Sequence, residues 1–236
     1  QTDKDRGGAW LDGAARQCRQ VMLYLWRGLR VRECQLDELW GFVHTKQANL
    51  PGAKTYSETY GDAWVWLAFA PEWRLVLAFV IGKRTQVYAD QLLARVRHVT
   101  DAHIPFFTSD QLPEYERALL TAYGEWYQPE RRGPRGPRGA RPKPRRQPPP
   151  ELRYAQVIKT RRRGRVVQVK AHVVFGNPQA VAAYLRTSPV SEAINTSFVE
   201  RDNLTQRQSN RRLTRRTTGF SKDIRWFEKQ LWISLA

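Results

Sequence analysis

"AWVWLAFAPEWRLVLAFVIG", residues 63–82, is the longest apolar candidate in the chain, and it admits two incompatible readings: one membrane-spanning helix, or two strands of a sheet. A helix that crosses a bilayer needs about 20 consecutive apolar residues, whereas Pro71, Glu72 and Arg74 interrupt this run at its centre. The strand reading therefore holds. "AWVWLAFA" (63–70) and "RLVLAFVIG" (74–82) are separated by "PEW", a hairpin-length turn, and "LWGFVH" (39–44) supplies a third strand before them. Such a meander opens a sheet that the following segments must extend or cover.

"RTQVYADQLLARVRHV" (84–99) has helical spacing through Val87, Leu92, Leu93 and Val96. "IPFFTSD" (104–110) is a short strand with Asp110 at its carboxyl end, and "LPEYERALLTAYG" (112–124) is a helix with Pro in its first turn and Gly124 just past its end. This order predicts an α/β fold, a mixed sheet flanked by helices. "PERRGPRGPRGARPKPRRQPPP" (129–150) cannot bury a core and is expected to be a solvated loop, either a plain tether or a contact to a nucleic-acid backbone. "RYAQVIKTRRRGRVVQVKAHVVFG" (153–176) resumes strand periodicity around Gly164 as a basic hairpin, and "NPQAVAAYLRTS" (177–188) is a short helix capped by Asn177. The span 129–176 is taken as an insertion ahead of the last acidic helix, within a domain covering 36–236. Residues 1–35 are a lead-in with a helical segment, "ARQCRQVMLYLWRGLR" (15–30), whose buried stripe is Val21, Met22, Leu25, Trp26 and Leu29. Because the chain opens on "QTDKDRGG", with neither Met nor an apolar leader, its natural amino terminus is expected to be missing.

Charge narrows the partners. Forty Lys and Arg against 22 Asp and Glu in 236 residues give a net charge of +18, which favours a polyanion: nucleic acid first, an anionic membrane surface second. Cys18 and Cys34 form no C-x-x-C pair and the four histidines have no ligand spacing, so no zinc site is written here. A lone cysteine pair fits a reducing cytoplasm.

The acids are the chemically informative residues. "TSFVERDNLTQRQSNRRLTRRTTGF" (196–220) places Glu200 and Asp202 ahead of a run rich in arginine. Taken as one helix from Asn195 or Thr196 to about Thr218, it puts Asn203, Arg207, Arg211, Thr214 and Thr218 within about 60° of Glu200, leaving Phe198, Leu213 and Phe220 to dock. Asp37 stands at the start of the first strand and Asp110 at the end of a strand expected beside it. Glu38 points to the other sheet face, so only Asp37 of that pair aims at a shared site. Carboxylates on adjacent strands, met by a third from a helix, hold two divalent cations, and hard oxygen ligands without Cys or His select magnesium or manganese. Each acid also has a plain structural reading: Asp37 as an edge charge, Asp110 as a helix cap, Glu200 as a surface partner of Arg207.

"DELWGFV", "FFTSDQLPEY" and "TSFVERDNLTQRQSNRRLTRRTTGFSKD" resemble the three acid motifs of the insertion-sequence transposases of the IS-one type. These belong to the DDE group of the ribonuclease H-like and retroviral integrase superfamily. The resemblance runs from about residue 31 to 235, with the third motif the most specific. It implies a ribonuclease H-like sheet and a metal-binding triad of Asp37, Asp110 and Glu200. Arg207 is implied to sit where relatives place a basic residue on the transposon end, with Asn203 on the same face. Arg211, Arg212, Arg215 and the hairpin residues Arg161, Arg162 and Arg163 are the further candidate DNA contacts. The implied chemistry is hydrolysis that frees a 3′-hydroxyl at the element's ends, then attack of that hydroxyl on double-stranded target DNA, with no covalent enzyme intermediate. An assembly of at least two copies and a prokaryotic, nucleoid-associated location follow from the same resemblance. Two other readings share these residues: a degenerate relative that binds DNA without cutting it, and a ribonuclease H-like nuclease.

Overall fold

The computed structural model describes residues 3–50, 57–130 and 142–235. Its centre is a six-stranded mixed sheet of β1 (Glu33–Val43), β2 (Gly61–Ala70), β3 (Leu75–Gly82), β4 (Phe106–Asp110), β7 (Arg153–Arg162) and β8 (Arg165–Phe175), in the order β3-β2-β1-β4-β7-β8. β5 (Glu125–Tyr127) and β6 (Arg145–Gln147) form a separate antiparallel pair. The predicted meander is present, with β1–β2 and β2–β3 antiparallel, while β4 lies parallel to both β1 and β7. None of the described helices is long and apolar enough to cross a membrane.

Side chains alternate across the sheet and sort the helices onto two faces. Cys34, Leu36, Trp66, Leu77 and Phe107 face one way, against Leu92, Leu93 and Val96 of α2 (Gln86–Val99) and Tyr115 and Leu119 of α3 (Pro113–Tyr123). Leu39, Val65, Leu67 and Phe79 face the other way, against Val199 of α5 (Ser197–Ser209) and Phe227 and Leu231 of α6 (Ile224–Ser234). Phe106 and Ala155 carry Val181 and Leu185 of α4 (Pro178–Arg186), whose first turn is capped by Asn177 as predicted, its Oδ1 accepting from the Gln179 and Ala180 amides. α1 (Asp3–Leu25) packs along α6 and is tied to it by a Lys229–Asp12 ion pair and by Arg19 over the Trp232 ring.

Several boundaries differ from the sequence expectation. β1 begins at Glu33, six residues before the predicted strand, so a division at 35/36 cuts a central strand and Asp37 lies mid-strand. The segment 129–176 is not an insertion as a whole. The first half of β7 pairs with β4 from Arg153 to Val157 and buries Tyr154, Ala155 and Val157, so it belongs to the sheet. Within the predicted tether, β6 pairs with β5, and residues 131–141 lie outside the described residues. On α1, Met22 is buried but Val21 and Leu25 are exposed, and on α2 Val87 is exposed, because α1 is covered along the side that meets α6 and α2 along the side that meets the sheet and α3.

Beyond Ile158 the β7–β8 pair leaves the body of the protein as a two-stranded ribbon, exposed on both faces from Thr160 to His172. Its tip is a two-residue turn in which Arg163 (φ 51°) and Gly164 (φ 78°) both adopt left-handed backbone. Such a turn matches the twist of the strands it joins. Val167 has no partner opposite it, which makes a bulge between the Thr160–Gln168 and Arg161–Val166 pairs.

Candidate active site

The parallel register of β1 and β4 ends at the Leu36–Ser109 pair. Asp37 and Asp110 are the next residue on each strand, and both point to the α5 face. Ligands in sheets of this kind collect at the carboxyl ends of parallel strands, where the chains diverge. Here Asp37, Asp110, Glu200, Lys159, Arg161 and Arg215 line one open concavity of about 460 Å³. The structure therefore gathers the three sequence-selected acids at one place.

α5 is held there by polar contacts. The Asn195 carbonyl accepts from Gln35 Nε2 (3.1 Å) and Thr108 Oγ1 (3.1 Å), bolting the helix entrance to β1 and β4. Gln35 Oε1 accepts from the Val199 amide (2.9 Å), and the Thr196 hydroxyl donates to Glu200 Oε1 (2.5 Å). Lys159 Nζ forms an ion pair with the same Glu200 oxygen. Asn203, 7% exposed, donates from Nδ2 to Asp37 Oδ2 (2.6 Å), while Asp37 Oδ1 accepts from the Glu38 amide (2.8 Å).

One carboxylate oxygen each from Asp37, Glu38 and Asp110 lies within 4.8 Å of the others. Glu38 thus joins a group from which alternation had excluded it. β4 stops at Asp110 and leaves the edge of β1 open at this point, so a glutamate on the far face reaches the same end of the sheet. Its side chain is only 2% exposed, with Oε2 accepting from Arg84 (3.0 Å) and the buried Tyr115 hydroxyl placed to donate to the carboxylate. Asp110 Oδ1 is buried and unpartnered. Burial raises the Asp37 carboxyl to about 6, assisted by the charges of Asp110 and Glu200, and burial raises Glu38 to about 7. Asp110 is also raised by burial, against the pull of Arg84 and Lys159. A crowded group of carboxylates, one of them with an unpartnered buried oxygen, is a donor set that could hold a metal ion.

Two of the plain structural readings are not what the structure shows. α3 begins at Pro113 after Leu112 and has no side-chain cap, so Asp110 caps nothing. Glu200 does not pair with Arg207, whose Nη1 donates instead to the Trp40 and Leu213 carbonyls (3.1 and 2.8 Å).

The basic candidates divide. α5 ends at Ser209 and not near Thr218, because Asn210 takes extended backbone and its side chain caps a short 3-10 turn, Arg211–Leu213, through the Arg212 amide. The predicted single face carrying Arg211, Thr214 and Thr218 does not exist. The docking stripe is Val199, Asn203 and Gln206, with Phe198 only partly buried. Asn203 is a buried anchor, Arg207 is half-buried and lines a second open concavity with Asp37, Glu200 and Asn203, and Arg212 donates to Ser221 Oγ (3.0 Å). Arg161 and Arg215 face the acids, Arg162 and Arg163 are exposed at the ribbon tip, and Arg211 lines a separate cleft with Arg216 and three threonines. Lys159 and Glu38 were missed. The alternation of β7 that puts Val157 on the Asp110 face also puts Lys159 there, but this is useful only once the β4–β7 register is known.

No protein-family model matches the sequence, and comparison with curated proteins and with solved structures likewise yields no match.

Proposed function

We propose that this chain is the catalytic domain of a DDE-type transposase, cleaving DNA at the ends of an insertion sequence and joining the freed 3′-hydroxyl to target DNA. The observation that carries the reading is the convergence of Asp37, Asp110 and Glu200, far apart in sequence, on one concavity rimmed by Lys159, Arg161 and Arg215. The strand order is compatible with a ribonuclease H-like sheet: an antiparallel meander β1–β2–β3 with β4 and β7 added parallel on the other side of β1. The net charge of +18 suits double-stranded DNA as partner. Joining two element ends calls for at least two copies, acting at a prokaryotic nucleoid.

Asp37, Asp110 and Glu200 would hold two magnesium or manganese ions, with Glu38 completing the group. The chemistry such ions would supply there is stabilisation of the attacking and leaving oxygens in displacement at phosphorus. The chain's own residues supply the alignment. Asn203 fixes the Asp37 carboxylate, Gln35 and Asn195 fix the start of α5, and Arg161 and Arg215 seat the phosphate next to the acids.

The test is a magnesium-dependent strand-transfer assay on pre-cleaved duplex oligonucleotides bearing candidate ends. Joining by the parent protein, lost in Asp110→Asn and Glu200→Gln with DNA binding retained, is the expected result. Cleavage without joining would point to a nuclease, and binding without either to a non-catalytic relative.

A further inference from the structure

Glu200 stands apart from the other three acids. Asp37, Glu38 and Asp110 have oxygens within 4.8 Å of one another, while Glu200 Oε1 is occupied by the Lys159 ammonium and the Thr196 hydroxyl. Lys159 is set on β7 two residues beyond Val157, which pairs with Asp110, so its side chain projects over the Asp110 face. The same strand continues into the exposed basic ribbon, and Arg161 lines the concavity beside it. The pair is partly open to solvent, with side chains 26% and 43% exposed, and exposed ion pairs are weak. A phosphate entering the concavity therefore meets an ammonium that exchanges partners easily.

We propose that Lys159 is an exchangeable counter-ion that couples DNA binding to metal binding. Without DNA it neutralises Glu200 and keeps that carboxylate from the acid group. When a backbone phosphate takes the ammonium, Glu200 is released to complete the cation site. DNA and the divalent cation then favour each other reciprocally, as linkage requires. The inference rests on the metal-site reading above and adds a positioning residue to it. Arg117, exposed on α3 at the opposite face of the sheet, separates this exchange from a general effect of positive charge.

The experiment measures Mn2+ affinity by electron paramagnetic resonance of the free ion, with and without a duplex oligonucleotide, after subtracting the ion bound by DNA alone. In the parent, DNA should tighten Mn2+ binding about fivefold or more, the lower range of ordinary coupling between sites. Lys159→Met should bind Mn2+ tightly without DNA and lose the coupling. Arg117→Met and the charge-keeping Lys159→Arg should retain it. Lys159→Gln provides a second neutral variant, and thermal melting confirms that each variant is folded. Coupling that persists in Lys159→Met and Lys159→Gln, or that disappears equally in Arg117→Met, overturns the proposal, as does a parent that binds Mn2+ with no response to DNA. Failure of the parent to bind Mn2+ at all would remove the metal site itself, a distinct outcome that takes this proposal with it.

Discussion

Asp37→Asn should make the metal-free protein more stable while abolishing its chemistry. The structure holds the Asp37 carboxyl at about 6 instead of 3.8, chiefly by burial and then by its acidic neighbours, so folding with this group ionised costs about 3 kcal/mol. The sign follows from proton counting. Between the two values the folded state binds more protons than the unfolded one, so this contribution to stability falls as pH rises through that window and stays lost above it. Asparagine removes the charge and keeps an oxygen for the Glu38 amide. Its amide nitrogen would face Asn203 Nδ2, but Asn203 Oδ1 is buried without a partner, so a flip of that amide restores a hydrogen bond. A net gain of about 2–3 kcal/mol corresponds to roughly 5–10 °C in a chain of this size. Scanning calorimetry in chelator should show that increase near pH 8, shrinking to a degree or two near pH 4, where the parent carboxyl is also neutral. Addition of Mn2+ should raise the melting temperature of the parent alone. A variant that melts below the parent near pH 8, or one whose difference is independent of pH, would refute the crowded-carboxylate account.

Metal affinity should rise with pH from about 5 to about 8, because Asp37 and Glu38, held at about 6 and about 7, must lose protons to bind a cation; calorimetric titration with Mn2+ reads it, and a flat profile counts against both as ligands. Glu38→Gln should weaken Mn2+ binding by about tenfold, in the range of losses seen when groups supporting a metal are removed, whereas Glu33→Gln, outside the cluster, should not. Arg207→Ala should cost about 2–3 kcal/mol of stability, since it strips charged donors from the Trp40 and Leu213 carbonyls, and DNA affinity measured well below the melting point should change little. Replacing Arg161, Arg162 and Arg163 together by alanine should flatten the salt dependence of DNA binding by up to about three in log–log slope with no loss of melting temperature, as expected for exposed phosphate contacts.

Local patterns made much of this fold legible. Pro71, Glu72 and Arg74 forced the hairpin of β2 and β3, and Asn177 with Pro178 marked the start of α4. The acids Asp37, Asp110 and Glu200 could be selected from their places on two strands and on the arginine-rich helix, and from the family resemblance of the three segments that carry them. What stayed hidden depends on contacts far apart in sequence. The arginines and Leu213 after Ser209 are good helix formers, and in sequence the helix could run on; the stop comes from burying Leu213 and from Asn210, which donates to Ser234 Oγ on α6 (3.2 Å). β7 follows a Pro- and Arg-rich segment, so its place beside β4 is a long-range pairing that composition disguises. Arg207 and Arg212 look like surface charges in sequence, and only the folded chain shows their guanidinium groups turned inward.

The geometry of the ribbon also sets how its length can evolve. Strand side chains repeat every two residues and the Arg163–Gly164 turn locks the pairing, so adding one residue per strand between Arg161 and the tip would swing Arg162 and Arg163 to the reverse side while Lys159 stayed in place. Growth or trimming that preserves the chemistry must come in two-residue steps on both strands, each changing the reach by about 7 Å. Reach is thus quantised, and natural variants of this protein should differ there by multiples of four residues.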